Sequence, residues 1–296
     1  MTKTICIYHA NCADGFTAAW AVWKALGSDV EYIPAAYGEA PPDVTGADVI
    51  MVDFSYKRPV LSGMADQANS LLILDHHKTA QGELSGFDSP PEGWRWRDIQ
   101  ENGAWKPCPV FTLFDMSRSG AQIAWDYFHP TAPRPMIVDY VADRDLWKWE
   151  MRWSREISEW LYSQDMDFGQ WQTCANILDT PQLRANAART GAETRRRFDK
   201  DVRAVLDASR RDMLIGGHHI PVANAPHFMA SEMADQMAQD ATFAATYFDS
   251  PTGRKFSLRS RGETGADVAE IAATYGGGGH RNAAGFTMPI GWEGDA

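Results

Sequence analysis

Four short apolar runs in the first half of this chain each stop at His or Asp. Thr4–Tyr8 leads into His9, Val49–Val52 into Asp53, Leu71–Leu74 into Asp75, His76 and His77, and Met136–Val141 into Asp143 one residue later. Several of these runs are apolar at every position rather than at alternate ones, which is the pattern of strands covered on both faces of a parallel sheet. Val30–Pro34 reads as a further strand, with Gly15–Leu26, Lys57–Asn69 and Ser119–Phe128 as helices between strands. The expected fold class is α/β, a doubly wound parallel sheet. In such a sheet the carboxyl ends of the strands line one edge, where ligands bind, so ionisable residues distant in sequence would converge there.

Converging carboxylates and imidazoles make a metal site. Mixed His and Asp ligands suit manganese, zinc, iron or cobalt better than calcium, and several Asp side chains can bridge two ions. A single Asp past a strand is more often a turn former or helix cap. The triplet Asp75-His76-His77 is more specific, because three ionisable groups at a strand end are costly to arrange for packing alone. Its recurrence with His9 and Asp14, with Asp53, and with Asp143 and Asp145 strengthens the reading.

The chain has 296 residues, enough for two domains with separate cores. Expected boundaries are 1–150 for the sheet domain, 151–214 for a helical connector and 215–296 for a smaller α/β domain, with strands at Ile220–Ala223, Ala244–Phe248 and Lys255–Arg259. Gly82–Pro109, rich in Pro, Gly and Trp, is expected to be an irregular insertion on the rim. No apolar run approaches the ~20 residues that span a bilayer. Met1–Tyr8 reads as a first strand rather than a secretory signal. Cys6, Cys12, Cys108 and Cys174 form no close pair, which suits reduced thiols and a cytoplasmic location. A formal charge of −11 disfavours coating long nucleic acid, since that draws on an excess of Lys and Arg. Arg195, Arg196 and Arg197 read as a solvated helix face, and the Trp set, including Trp147, Trp149, Trp153 and Trp160, as packing residues first and stacking platforms second.

The run Gly276-Gly277-Gly278-Gly279 is the second informative feature. Dense apolar sequence on either side argues against a flexible linker. A loop approached closely by a ligand is the preferred reading, with backbone N–H groups and His280 offered to phosphate or base. Upstream, Arg259 and Arg261 alternate along a strand and so share a face, where two guanidinium forks suit a phosphate.

The segment Leu74-Asp75-His76-His77 resembles the motif that names the DHH phosphoesterases. Gly276 to Phe286, reading GGGGHRNAAGF, resembles the glycine-rich signature of their associated C-terminal domain. The His9–Ala19 segment, Asp53 and Val141-Ala142-Asp143 fall in the family's order and spacing. The resemblance implies that His9, Asp14, Asp53, His76 and Asp143 ligate one or two divalent ions, manganese first among them, with Asp53 bridging. It implies that Asp75 orients His76, that His77 faces the substrate phosphate, and that Arg259, Arg261, Gly277, Gly278, Gly279 and His280 bind substrate. One departure stands out. Family members usually carry two carboxylates in the first motif, whereas His9-Ala10-Asn11-Cys12-Ala13-Asp14-Gly15 has one. Asn11, a water or Cys12 could substitute, although packing is the commoner use of such a thiol. Asp145 is the alternative to Asp143, which motif alignment favours.

The expected function is hydrolysis of short oligonucleotides or of linear or cyclic dinucleotides by metal-activated water, with no protein nucleophile. The expected partner is that small nucleotide or oligonucleotide, with no membrane, no long double-stranded nucleic acid, and pairing of the chain with itself left open. The alternative is a nucleoside 3′,5′-bisphosphate phosphatase using the same ions. From a different class comes a nucleotide-binding protein that has lost turnover, supported only by the missing carboxylate.

Overall fold

The computed structural model describes residues 2–102, 106–262 and 265–295, which fall into two compact units, 1–195 and 196–296. The first contains β1 (Thr4–His9), α1 (Ala13–Leu26), β2 (Val30–Ala35), β3 (Asp48–Val52), α2 (Arg58–Gln67), β4 (Ser70–Asp75), α3 (Lys78–Glu83), α4 (Trp96–Asn102), β5 (Val110–Phe114), α5 (Gly120–Phe128), α6 (Met136–Asp145), α7 (Ser154–Tyr162) and α8 (Phe168–Asp179). The division between the units falls inside α9 (Pro181–Ser209).

Five strands pair in the order β2-β1-β3-β4-β5, every pair parallel. The expected α/β sheet is there, and its continuous apolar runs have the expected cause. Alternate residues of a strand face opposite ways. Cys6, Ile50, Val52, Leu72 and Leu74 pack on one face with α1, α5, α6, α7 and α8, while Ile5, Ile7, Val49, Met51, Leu71 and Ile73 pack on the other with Leu61, Met64 and Ala65 of α2. Ile157, Trp160, Leu161, Trp171, Cys174, Leu178 and Ala187 join the first of these cores, so the helices after residue 150 pack with the sheet.

Three local expectations are corrected. Met136–Val141 is the start of helix α6 and not a strand. Pro135 sits at its N-cap, and Ile137, Val138, Tyr140 and Val141 bury one helical face at spacings of one, three and four residues. The fifth strand is instead β5, which the apolar run Val110–Phe114 supplies. The Gly82–Pro109 segment is also less irregular than expected: α4 lies within it, and Leu84, Trp96 and Ile99 are buried in the two cores. Residues 103–105 of that segment lie outside the described residues.

The second unit carries a six-stranded sheet built from β6 (Arg211–Ile215), β7 (His218–Asn224), β8 (Ala244–Ser250), β9 (Gly253–Arg259), β10 (Gly278–His280) and β11 (Ala283–Met288), with α10 (Ala230–Met237) and α11 (Val268–Thr274). Its order is β10-β11-β9-β8-β7-β6, antiparallel except for the β7–β8 pair. Its core joins Ile215, Val222, Phe243, Ala245, Phe256, Leu258 and Phe286 to Val268 and Ala272 of α11. No helix among the described residues is long and apolar enough to cross a membrane.

Candidate metal centre

With the order 2-1-3-4-5, the connections reverse direction between β1 and β3, and crevices at such switch points hold ligands. His9 is the last residue of β1, Asp53 directly follows β3, and Asp75 ends β4 with His76 and His77 beyond it. Asp53 lies in the left-handed region at φ 54°, a conformation that non-glycine residues adopt at a cost of roughly 1–3 kcal/mol when the surroundings enforce it.

The side chains converge on Asp53. His76 Nε2 lies 3.1 Å from Asp53 Oδ1, 3.5 Å from Asp145 Oδ2 and 3.6 Å from Asp14 Oδ2, while His9 Nδ1 lies 3.6 Å from Asp53 Oδ2. Asp14, on the first turn of α1, is held from a second helix. The N–H groups of Gly120 and Ala121, opening α5, donate to its two oxygens at 2.6 and 3.1 Å. They do so because helix-opening amides lack partners within the helix and attract anions. Ser119 and Gln122 close a capping box that fixes this helix start. A methyl group at Gly120 would come within 2.5 Å of Asp53 Cβ, so the helix can approach only as glycine.

Two predicted site residues act differently from expectation. Asp75 orients His77 rather than the His76 ring: Asp75 Oδ1 accepts from His77 Nδ1 at 2.7 Å and from the His76 backbone N–H at 2.7 Å. Its acceptor sits at the strand end, where the His77 ring folds back onto it while the His76 ring points to Asp53. Asp143 is not among the converging groups. Its carboxylate organises the turn after α6, accepting from Glu150 N at 3.0 Å, Met151 N at 3.3 Å and Ser154 Oγ. That turn holds Trp147, Trp149 and Trp153 at positive φ, so its backbone needs such an anchor. Asp145, on the last turn of α6, is the residue that meets His76. Two residues along a helix turn the side chain by roughly 200°, so of these two only one can face the cluster.

The electrostatics follow from burial and crowding. Burial pushes the Asp14 carboxyl well up, and repulsion from Asp53 and Asp145 adds to it. Asp145 is pushed up by burial as well. Against burial, the His76 hydrogen bond holds Asp53 below the usual carboxylate range. Also against burial, Asp53, Asp145 and Asp14 raise His76 to about 10, and Asp75 raises His77 to about 8. The surrounding carboxylates thus favour the protonated form of His76.

Three sets in the first unit have potential ligand atoms within 4.8 Å of one another: Asp14, Asp53 and His76; His9, Cys12 and Asp53; and Asp53, Asp75 and His77. All three share Asp53. Asp75 Oδ2, fully buried, has no hydrogen-bond partner among the described residues. Imidazole nitrogen with carboxylate oxygen is a donor set for divalent transition ions, and a buried carboxylate oxygen without a donor is costly unless a cation meets it. The residues present suit such ions.

In the second unit the glycine run is neither linker nor open loop. Gly278–His280 forms the edge strand β10, paired to β11. A side chain at Gly277 would come within 2.1 Å of the Gly285 carbonyl oxygen, and one at Gly279 within 2.5 Å of that of Ala283. Arg259 donates to Ser231 Oγ at 2.6 Å, and Arg261 grips buried Asp235 through Nε at 3.0 Å and a second guanidinium nitrogen. Both Arg therefore share a face toward α10, as their alternation implies, with Arg261 already engaged by a carboxylate. Sequence reasoning missed the Gly120 and Ala121 amides, which only tertiary packing brings to Asp14, and Tyr37, whose exposed ring lies 5.5 Å from His9 and 6.0 Å from His77.

No family model matches the chain. A protein of Acanthamoeba polyphaga mimivirus, described as an uncharacterized protein, is 27% identical to it, the match covering 96% of this chain and 67% of that protein. Among solved structures, the DHH domain of a protein described as belonging to a family of ribosomal proteins resembles it with a TM-score of 0.58 at 14% identity, over 97% of this chain and 83% of that one. RecJ from Thermus thermophilus, in complex with Mn2+, does so with a TM-score of 0.50 at 18% identity, over 97% and 50%. These likenesses show a fold shared with that DHH domain and with RecJ, and the Asp75-His76-His77 triplet stands at the carboxyl end of the fourth strand.

Proposed function

We propose that this chain is a metal-dependent phosphoesterase that hydrolyses short oligonucleotides or linear or cyclic dinucleotides. The observation that carries the reading is the sharing of Asp53 by three ligand sets at the switch point of a parallel sheet. Manganese is the expected ion, in keeping with the Mn2+ named for RecJ of the same fold. Asp14, Asp53, His76 and Asp145 would hold one ion, and His9 with Asp53 a second. Divalent ions there supply a nucleophilic water near neutral pH and charge neutralisation at phosphate. Asp53, with an oxygen toward each imidazole, keeps both halves in register.

His77 has the proton-donating role. Its Nδ1 is fixed by Asp75, which sets the ring's orientation and leaves Nε2 as the atom able to protonate a leaving oxygen. With His77 raised to about 8, a large share of it is protonated at neutral pH. Arg259, Arg261, Gly277 to Gly279 and His280 remain the proposed substrate-binding residues of the second unit, with Arg261 exchanging part of its hold on Asp235 for phosphate. The net charge of −11 supports a small anionic substrate over a long strand.

The test is a panel comprising a cyclic dinucleotide, a linear dinucleotide, a short RNA, a nucleoside bisphosphate and pyrophosphate, each with Mn2+ and with chelator. Cleavage of a dinucleotide or short RNA that needs Mn2+ and disappears in Asp53→Ala is expected. Release of phosphate from the bisphosphate alone would transfer the reading to a phosphatase, and no turnover on any member would leave a nucleotide-binding protein.

A further inference from the structure

We infer that Cys12 is a metal ligand, making the His9–Cys12–Asp53 half of the centre selective for a borderline ion such as Zn2+ or Co2+ rather than Mn2+ or Mg2+. The inference rests on the metal-dependent reading above and gives the two halves different chemistry.

The geometry carries it. Cys12 Sγ, a His9 ring nitrogen and an Asp53 oxygen lie within 4.8 Å of one another, and Asp53 is shared with the Asp14–His76 set on its other side. Asn11, at φ 54°, turns the chain between β1 and α1, and Cys12 follows as the extended residue that opens α1. The first motif offers one carboxylate, Asp14, and Asp14 is directed to the His76 side. On the His9 side the next donor is sulfur. The buried, unpartnered Asp75 Oδ2, in a third set built on Asp53, is an independent sign that the cluster is shaped around cations.

Thiolate and imidazole favour zinc-like ions, whereas a set dominated by carboxylates suits manganese and magnesium. Burial and the neighbouring Asp53, Asp145 and Asp14 push the Cys12 thiol up, so without an ion it stays neutral. A cation there reverses the sign of the local field. As the ion–sulfur bond forms, the thiol proton passes to solvent and no electron is transferred. The other cysteines, Cys6, Cys108 and Cys174, are buried in the cores, so chemistry at a reachable thiol reports on Cys12.

The experiment adds Co2+ to the full chain after chelator treatment and reads its absorption. Expected are ligand-field bands in the visible and a thiolate-to-cobalt charge-transfer band in the near ultraviolet, the latter lost in Cys12→Ser while the ligand-field bands persist. Ligand-field bands without the charge-transfer band, or a band that survives Cys12→Ser, would overturn the inference. Absence of any cobalt spectrum would overturn the metal-dependent reading itself. In the unaltered chain, alkylation followed by peptide mass analysis should find Cys12 modified in Mg2+ and protected in Zn2+. Equal modification in both would count against the sulfur ligand whatever the variant's folding.

Discussion

The two motifs that stand out in the sequence, Asp75-His76-His77 and the four glycines from Gly276, are demanded by different physics. The first is a chemical requirement. His76 sits among three carboxylates and His77 is gripped by Asp75, and no packing rule asks for so many ionisable groups at one sheet edge. The second is at least half a steric requirement, since β11 crosses so close to Gly277 and Gly279 that no side chain fits, whether or not a ligand ever binds there. A residue pattern can be equally specific in both cases and still gather ionisable groups in one and serve backbone packing in the other. The structure separates them by what each residue touches.

Asp53→Ala should break the chemical motif most severely, lowering Mn2+-dependent hydrolysis by about a thousandfold, the several kcal/mol that bound ions contribute to charge stabilisation. Steady-state rates measure it, and a loss under tenfold would mean that Asp53 does not bridge. Gly277→Ala should act on the other motif, destabilising the second unit by about 1–3 kcal/mol through overpacking against β11. Denaturant unfolding reads that effect. Cleavage of a small non-nucleotide phosphate diester should stay intact below the transition, and its loss would dissolve the contrast between the motifs.

The same contrast can be sharpened within one helix. Asp143→Ala should lower stability by about 1–3 kcal/mol, leaving turn donors without an acceptor, with Mn2+ affinity nearly retained. Asp145→Ala should do the reverse, with Mn2+ affinity reduced by at least about 10- to 100-fold, the loss that removing even an outer partner of a metal ligand brings. Calorimetric titration beside thermal unfolding distinguishes them, and an exchange of the two phenotypes would restore Asp143 as the ligand. The smallest effect is a pH slope. His76 and His77 titrate in the folded protein at about 10 and about 8, above the ordinary imidazole value of 6.5. Their stabilisation is complete below about pH 6.5 and is lost as pH rises through 8 to 10. Melting in chelator should therefore fall across that window, and with Mn2+ replacing the proton the fall should flatten. A metal-free protein with a flat profile would contradict the protonated His76.

Much of the fold and half of the site are legible without coordinates. Runs such as Val49–Val52 and Leu71–Leu74 announce strands buried on both faces, and the polar residue after each is placed by the topology of any parallel sheet. Sequence misleads where local pattern and tertiary role diverge. Ile137, Val138, Tyr140 and Val141 form a β-rich run, but Pro135 and the helical spacing of their buried faces make them α6. The strand reading places both Asp143 and Asp145 at the edge and motif alignment chooses Asp143, whereas on a helix the two point roughly 200° apart and it is Asp145 that meets His76. Asp75 is paired with the wrong imidazole because two adjacent His differ only in ring direction, which sequence does not encode. Cys12 reads as packing because small thiols usually are, and only the positions of His9 and Asp53 show its sulfur beside two other potential ligand atoms.

The left-handed backbone of Asp53 has a consequence for how this protein would respond to selection. Glycine is the residue that this conformation favours, and a metal-free Asp53 also brings its charge against Asp14 and Asp145. Against both stands the hydrogen bond to His76, so Asp53→Gly would relieve the backbone and the repulsion but would leave a buried imidazole without its nearest carboxylate. Backbone relief and the hold on His76 therefore pull this position in opposite directions in chelator, and only a screen that includes the ion also tests turnover.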